Sequence, residues 1–438
     1  MGQTFTAPKG MIDLLGSGAA AWERAQTVAR EVFARYGYAP IYTPLVEYTE
    51  VFARGIGEAT DVVGKEMYSF EDRGGRGLSL RPENTAGVVR AAIDAHLTDN
   101  GGGAKLYYAG PMFRYERPQK GRQRQFYQIG AEALGFAAPM ADAEMILMLW
   151  DFFCTLGLPA ERMRLLLNSM GDGDCRPAWR DEVAAFIRNH AHELCEDCVR
   201  RADTNPLRAF DCKNESCRAV FEGAPPLTGA LCDDCARHFA QVRALLDAAG
   251  LDYVLDPTLV RGLDYYTRTV FEIQVDDGLG SQNAIGGGGR YDGLFEQLGG
   301  RPTPGIGFAI GFERSLLAME AAGVDAPGEG TATVYVAVAG TGAGLREAAF
   351  ALVTRLRAAG IAAVTDLTNR SLKAQFKQAD RAGARFVAVM GDDEQARGGV
   401  TLRNMDSKRE EFVLADDIVS ALFALSPDLS AQAKNPTR

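Results

Sequence analysis

A chain of 438 residues is too long for one ordinary hydrophobic core, so two or three domains are expected. Its 47% hydrophobic and 24% charged residues exclude a wholly disordered protein, and no apolar run reaches the roughly 20 residues that span a bilayer. The formal charge of −10 argues against a non-specific nucleic-acid binder while leaving room for local basic patches.

The first stretch, Met1 to Leu15, lacks the basic-then-apolar layout of a secretory signal, which points to a cytoplasmic protein without a membrane partner. From Ala19 to Tyr36, residues Trp22, Ala25, Val28, Ala29, Val32 and Phe33 recur at helical spacing. Glycine and proline then break the pattern, and Tyr38 through Phe52 reads as an extended segment opening onto a helix. Short strand-like runs follow (MYSFED, GLSLRPE, KLYYAGPMFRYE and RQFYQIGAEALG). With no regular helices between them, an antiparallel sheet is expected. Helix returns from about Ala141 to Leu156.

A largely helical texture runs from Cys175 to Gly250, with six of the eight cysteines between Cys195 and Cys235. It reads as an insertion, because strand-like segments resume with LVRGLDYYTRTVFEIQV and NAIGGGGRYDGL, and PGIGFAIGFERSLLAMEAAG follows as a strand entering a helix. Past Ala326 the rhythm becomes strand, helix, strand, helix, strand, then a hairpin and a closing helix, the mark of a compact α/β domain. The tail from Ser426 is polar and expected to be disordered.

The stretch FRYERPQKGRQRQFYQIGAE crowds Arg114, Arg117, Lys120, Arg122 and Arg124 into about eleven residues. A solvated hairpin tip would explain such a cluster. Against that, Arg114 lies on the strand, and Gln128 and Glu132 share one face of the return strand. Guanidinium forks suit triphosphate oxygens, and a basic tip suits a nucleic-acid backbone. Arg261 before the paired tyrosines of RGLDYYTRTVFE, and Arg314 at the helix start in PGIGFAIGFERSL, are weaker signals of the same kind. Gly286–Gly289 are open to reading as a tight bend that admits a ligand to the backbone. The run Gly340-Thr341-Gly342-Ala343-Gly344 lacks the dinucleotide-site spacing.

Taken in order, these arginine motifs resemble those of the class II aminoacyl-tRNA synthetases, and within them the histidyl-tRNA synthetase family. KGMIDLL resembles that family's opening, with Gly16 where a proline is usual. The helix with Tyr42-Thr43-Pro44 resembles motif 1, a dimer element. FRYERPQKGRQRQFYQIGAE resembles motif 2, and GIGFAIGFER resembles motif 3. RGLDYYTRTVFE and GGGGRYDGL resemble stretches peculiar to the histidine enzyme, LRPENTAG a further substrate-binding strand, and the C-terminal α/β unit an anticodon-binding domain.

The resemblance implies an α+β class II catalytic domain with a mixed, mainly antiparallel sheet and flanking helices, a mainly helical insertion, and a C-terminal α/β anticodon-binding domain. The boundaries expected are 1–170 and 253–326 for the catalytic domain, 171–252 for the insertion, 330–425 for the anticodon-binding domain and 426–438 for the tail. It implies ATP-dependent attachment of L-histidine to tRNA(His) through a histidyl-adenylate, by a homodimer, with Mg2+ accompanying the ATP. Arg114 and Arg261 would be catalytic, and Arg114, Glu116, Arg122 and Arg314 would bind ATP. Histidine would meet Glu83, Asn84, Thr85, Arg114, Gln128, Glu132, Arg261, Tyr265 and Tyr266. The tRNA would meet Lys120, Arg124, Arg370, Lys373 and Lys377. Arg117 receives no role. Regulatory relatives of the family lack the anticodon domain and lose catalytic residues, both of which this chain keeps.

Cys195-x-x-Cys198 and Cys232-x-x-Cys235 have the spacing of a four-thiolate zinc site, with Cys212 and Cys217 between them. Six thiols overfill a tetrahedral site, and the family is not generally a zinc family. Reduced, packed thiols are therefore expected, and no metal is assigned.

Overall fold

Helix α1 (Gly16–Arg35) forms where small and apolar residues repeat every three or four positions, and Ala25, Val28, Ala29, Val32 and Phe33 make its buried stripe. The computed structural model describes residues 5–57, 60, 62–212, 214–226, 229–260, 265–275, 283–324 and 333–427. Its contacts divide the chain into two units, Met1–Leu14 with Trp22–Asp325, and Leu15–Ala21 with Ala326–Arg438.

In the first unit the chain continues through β1 (Ala39–Pro40), β2 (Val46–Tyr48), α2 (Thr49–Ile56), β3 (Tyr68–Glu71), β4 (Gly77–Leu80) and α3 (Thr85–Asp94). It then forms β5 (Ala104–Phe113), β6 (Gln125–Leu134), α4 (Pro139–Leu156) and β7 (Met163–Ser169). Among the described residues the α-helices that follow are α5 (Arg176–Asn189), α6 (Glu196–Thr204), α7 (Glu215–Phe221) and α8 (Asp233–Ala248). After them come β8 (Val254–Leu255), β9 (Thr267–Val275), β10 (Ala284–Arg290), α9 (Leu294–Gln297), β11 (Gly305–Gly311) and α10 (Phe312–Ala321).

The main sheet has the order β1-β5-β6-β11-β10-β9-β7-β8, and a small one the order β2-β4-β3. From β5 to β7 every neighbouring pair is antiparallel, while the outer pairs β1–β5 and β7–β8 are parallel. The sheet is thus mixed and mainly antiparallel, as the sequence led us to expect. Alternation gives it two faces. Ile306, Phe308 and Ile310 of β11, with Ile129, Ala131 and Ala133 of β6, are buried. Against Phe308 pack Phe33 of α1 and, through it, Phe152 of α4, with ring centroids 5.7 and 5.9 Å from Phe33. The alternate positions, Gln128, Glu132, Gly307, Ala309 and Gly311, belong to the opposite face.

Gly286–Gly289 do not form a bend. They are the middle of β10, and their lack of side chains serves strand packing. A Cβ at Gly288 would sit 1.9 Å from the Gly307 carbonyl oxygen and force β10 away from β11.

One fully buried ionic group ties α4, β10 and α8 together. Arg290 donates through Nε to Asp142 Oδ1 at 3.1 Å and through Nη2 to Oδ2, while His238 Nε2 lies 3.1 Å from Oδ1. Burial would raise the Asp142 carboxyl, but His238 and Arg290 hold it below its usual range. Removing one partner of such a pair leaves an uncompensated buried charge, so Asp142→Asn should cost about 3–5 kcal/mol in urea unfolding. Because the folded pKa is lowered, this stabilisation is present at neutral pH and is lost as pH falls below about 4, through the folded value. A loss under about 1 kcal/mol would contradict the assignment.

The second unit contains β12 (Val334–Ala339), α11 (Leu345–Ala358), β13 (Ala363–Thr365), α12 (Leu372–Arg381) and β14 (Phe386–Gly391). It closes with α13 (Asp392–Ala396), β15 (Gly399–Asn404), β16 (Glu410–Leu414) and α14 (Ile418–Leu425). Its sheet runs β13-β12-β14-β15-β16, parallel across the first three strands and antiparallel across the last three. Helices α11 and α14 cover one face, and α12 the other. The short α13, which the sequence pattern did not reveal, is nucleated locally, since Glu394 Oε2 accepts the Gly391 N–H at 3.0 Å. Ser426 departs from the expected start of a disordered tail. It is buried, and its hydroxyl accepts a hydrogen bond from Arg385 at 2.5 Å. Residues 428–438 of that tail lie outside the described residues.

Candidate functional site

A cavity of about 800 Å³ opens on the sheet face opposite α1 and α4. Its floor is almost without side chains, because Gly287, Gly307, Ala309 and Gly311 from β10 and β11 present backbone or a methyl group. A ligand can therefore lie flat on the sheet.

One end of the cavity is built on a buried carboxylate. Glu132 of β6 is fully buried over Gly307, where a Cβ would lie only 1.7 Å from Glu132 Oε2. Thr85 Oγ1 donates to Glu132 Oε1 at 2.8 Å, Tyr108 donates to the same oxygen at 3.4 Å, and the Tyr291 hydroxyl donates to Oε2 at 2.5 Å. Burial raises this carboxyl to about 8, and neighbouring Glu83 pushes the same way while the hydroxyl donors oppose. Glu83 itself accepts the N–H groups of Thr85 and Ala86 at 2.6 and 3.0 Å, capping the start of α3. Burial raises its carboxyl as well. Gln128 Oε1 is buried with no hydrogen-bond partner, four residues before Glu132 on the same strand face. Tyr265 and Tyr266 close this end, with ring centroids 4.7 Å apart and Tyr265 5.6 Å from Tyr291.

The other end is basic. The hairpin joining β5 to β6 folds its tip over towards α10, with Gly121 at φ +73° making the turn. Arg114 donates through Nε to the Pro82 carbonyl at 2.9 Å and stands 5.3 Å over the Phe126 ring. Arg122 donates to Glu116 at 3.1 Å. Arg314, at the start of α10, donates to the carbonyls of Gly121 and Ala284 at 3.4 and 3.3 Å. Burial lowers its pKa, and the nearby Arg122 lowers it further. Beside it, burial raises the Glu313 carboxyl to about 7, and Glu313 accepts the Tyr127 N–H at 3.0 Å. Helix α10 is thereby fastened to the hairpin.

Most of the site residues named from sequence meet here. Glu83, Thr85, Arg114, Glu116, Arg122, Gln128, Tyr265, Tyr266 and Arg314 line the cavity, and Glu132 lies directly beneath Thr85 and Tyr291. Asn84 is buried beside them, its Oδ1 accepting from Thr43 at 2.6 Å and from Arg81 at 3.4 Å and its Nδ2 without a hydrogen-bond partner. Arg261 lies outside the described residues. Lys120 is exposed at the hairpin tip. Arg124 is half-buried, stacked 3.9 Å from the Tyr115 ring and donating to the Glu116 carbonyl, which commits it to the hairpin itself. Arg370, Lys373 and Lys377 belong to the second unit and are exposed. Tyr108, Tyr291 and Glu272 were missed. All three stood inside stretches already quoted, but the contacts of Tyr108 and Tyr291 with Glu132 are made across strands and have no sequence signal.

The comparisons with known proteins agree with one another. Residues 10–314 match a family model described as histidyl-tRNA synthetase, and residues 333–425 match one described as an anticodon binding domain. A histidine–tRNA ligase of Moorella thermoacetica is 50% identical over 406 residues, covering 93% of this chain and 95% of the relative. One from Anaeromyxobacter dehalogenans is 51% identical over 412 residues, covering 94% and 98%. Among solved structures, apo histidyl-tRNA synthetase of S. aureus superposes with a TM-score of 0.78 at 36% identity, covering 96% of this chain and all of that one.

Proposed function

The chain belongs to the histidyl-tRNA synthetase family, and from that premise we propose a division of labour for the cavity between Glu132 and the arginines. The overall activity is attachment of histidine to tRNA(His) at the expense of ATP. The observation that carries the proposed site is the pairing, in one cavity, of an unpartnered buried Gln128 carbonyl with Arg114, Arg122 and Arg314.

Histidine occupies the polar end. Its imidazole has two nitrogens that need a hydrogen-bond partner each, and Glu132 and the Tyr265–Tyr266 pair supply them. Gln128, Thr85 and Glu83 take the ammonium group. This places the carboxylate beside Arg114. In the first step a histidine carboxylate oxygen forms a bond to the α-phosphorus of ATP, and the bond to pyrophosphate breaks. The nucleophile is already an anion, so the protein supplies alignment and charge stabilisation and no base. Arg114 and Arg261 serve the α-phosphate, Arg122 (held by Glu116) the distal phosphates, and Arg314 the nucleotide. In the second step a 3′-terminal ribose oxygen takes the acyl group and AMP leaves.

An Mg2+ ion accompanying the ATP would supply charge neutralisation to the triphosphate. The carboxylates of Glu116 and Glu272 on the cavity wall are the hard oxygen donors such an ion prefers. We assign residues 1–170 and 253–326 to the catalytic body, 171–252 to an insertion and 330–425 to anticodon binding. The tRNA contacts Lys120, Arg370 just before α12, and the exposed basic face of α12 with Lys373 and Lys377. A homodimer and a cytoplasmic location complete the proposal. Exposed Tyr42, Leu45 and Tyr48 offer the apolar surface for pairing, and a solution mass near twice 47.2 kDa tests it. The functional test is ATP–pyrophosphate exchange with each amino acid in turn. Histidine alone should support exchange, and exchange with none, or with another amino acid, defeats the assignment.

A further inference from the structure

The sequence pairs the two C-x-x-C motifs with each other, but the fold separates them. Among the described residues, Cys195, Cys198, Cys212 and Cys217 bring their sulfurs within 4.8 Å of one another. Asp172, Cys175, Cys232 and Cys235 do the same with three sulfurs and a carboxylate oxygen. Every cysteine of the chain except Cys154 is used, and none forms a disulfide. The excess of thiols over one tetrahedron, which argued against metal in the sequence, disappears once there are two sites.

The dimensions fit an ion. Four sulfurs about 2.3 Å from a zinc ion stand roughly 3.8 Å apart at the edges of a tetrahedron. Cys195 Sγ and Cys212 Sγ are 3.8 Å apart, far beyond the roughly 2.05 Å of a disulfide. At the second cluster, Asp172 Oδ2 lies 3.0 Å from Cys235 Sγ and 3.9 Å from Cys232 Sγ, while Oδ1 lies 3.3 Å from Cys175 Sγ.

The two clusters also share one local design. Cys195 caps α6 and Cys198 lies in its first turn, just as Cys232 caps α8 and Cys235 lies in its first turn. The Cys195 N–H points at Cys217 Sγ at 3.2 Å, and the Asp172 N–H at Cys175 Sγ at 3.2 Å, as second-layer donors to coordinated sulfur do. Asp172 Oδ1 also accepts the N–H of Asp174 at 3.1 Å and of Cys175 at 3.4 Å, and Oδ2 lies 3.5 Å from Arg268, which fixes its plane. Packed apolar thiols would explain burial, but not two four-atom clusters that converge at helix caps.

We propose that this helical segment holds two structural Zn2+ ions, one on Cys195, Cys198, Cys212 and Cys217 and one on Asp172, Cys175, Cys232 and Cys235. The segment needs such fastening. Helices α6 and α7 have 9 and 7 residues, below the length at which helices hold on their own. The four-thiolate ion joins α6 to the turn before α7 and to α7 itself, and the second joins the start of α5 to the start of α8. Cys195, Cys212 and, from the same segment, Arg201 and Arg208 line the 800 Å³ cavity, so the first ion shapes a wall of the active site.

The test is elemental analysis of the full-length protein, purified reduced and without chelator. Two zinc ions per chain are expected, falling to one in Cys212→Ser and to one in Cys175→Ser, and staying at two in Cys154→Ser. Should either cysteine variant fail to fold, X-ray absorption of the wild type reads the ligands directly, and a sulfur-dominated shell at about 2.3 Å is expected. Negligible metal with eight freely titrating thiols, iron in place of zinc, or a shell of nitrogen and oxygen overturns the proposal. One zinc that Cys175→Ser leaves untouched removes the second site.

Discussion

Glu132→Gln should lower kcat/KM for histidine in the exchange reaction by about 10²–10⁴, while leaving the protein folded. The substitution keeps shape and volume but halves the acceptors. In the wild type both carboxylate oxygens receive hydroxyls, from Thr85 and Tyr108 on one side and Tyr291 on the other. An amide offers one oxygen, so one hydroxyl must turn away, and the carboxyl proton shared with the imidazole is lost. Sites that recognise a ligand through buried polar pairs discriminate by such large factors because an unpaired group pays its whole desolvation cost. A change below about threefold would remove Glu132 from histidine recognition.

The same residue sets two pH dependences. Burial holds the Glu132 carboxyl at about 8 instead of 4.5. A carboxyl raised on folding binds its proton more tightly in the native state. Its contribution to stability is full below about 4.5 and is lost as pH climbs through about 8. Melting temperature should therefore fall across that window in the wild type and fall less in Glu132→Gln. Histidine binding follows a different course. Between about 6.5 and 8 a neutral imidazole meets a protonated Glu132, and one proton is shared. Below about 6.5 the imidazole gains its own proton and two donors face each other, so the KM for histidine should rise as pH falls.

What the sequence disclosed and what it hid divide along one physical line. Local order was legible. The apolar stripe of α1, the alternation of β5, β6 and β11, and the strand–helix rhythm after Val334 all follow from periodicities within a few residues. The arginines were legible because the hairpin that carries Arg114 and Arg122 is a local structure. Contacts made between distant elements were not. Tyr291 reaches Glu132 across 159 positions, and Asp142 meets Arg290 across 148. Thr43 reaches Asn84 across 41 positions, a bond that no spacing could reveal. The cysteines show the same limit, since two identical C-x-x-C spacings suggested a partnership that the fold dissolves by bringing in Asp172 and Cys175.

Arg114→Lys should reduce the rate of histidine-dependent pyrophosphate exchange at saturating ATP and histidine by about 10²–10³, the cost of one preorganised donor at a centre of developing charge. Charge alone does not explain why arginine stands there. The Pro82 carbonyl takes Nε and the Phe126 ring lies beneath the guanidinium, so both terminal nitrogens are aimed before substrate arrives. Lysine keeps the charge but has neither the planar fork nor a second nitrogen to anchor it, so it reaches the phosphate only by ordering a flexible chain. Arg122→Lys makes the contrast. Arg122 is held by Glu116, a side-chain carboxylate that an ammonium can also meet. That change should raise the KM for ATP more than it lowers kcat, as expected for a group that binds the phosphate tail equally in ground and transition states. If both variants affected only KM, Arg114 would be a binding residue like Arg122. The stabilisation of the pentavalent phosphate would then fall to Arg261 and the magnesium ion.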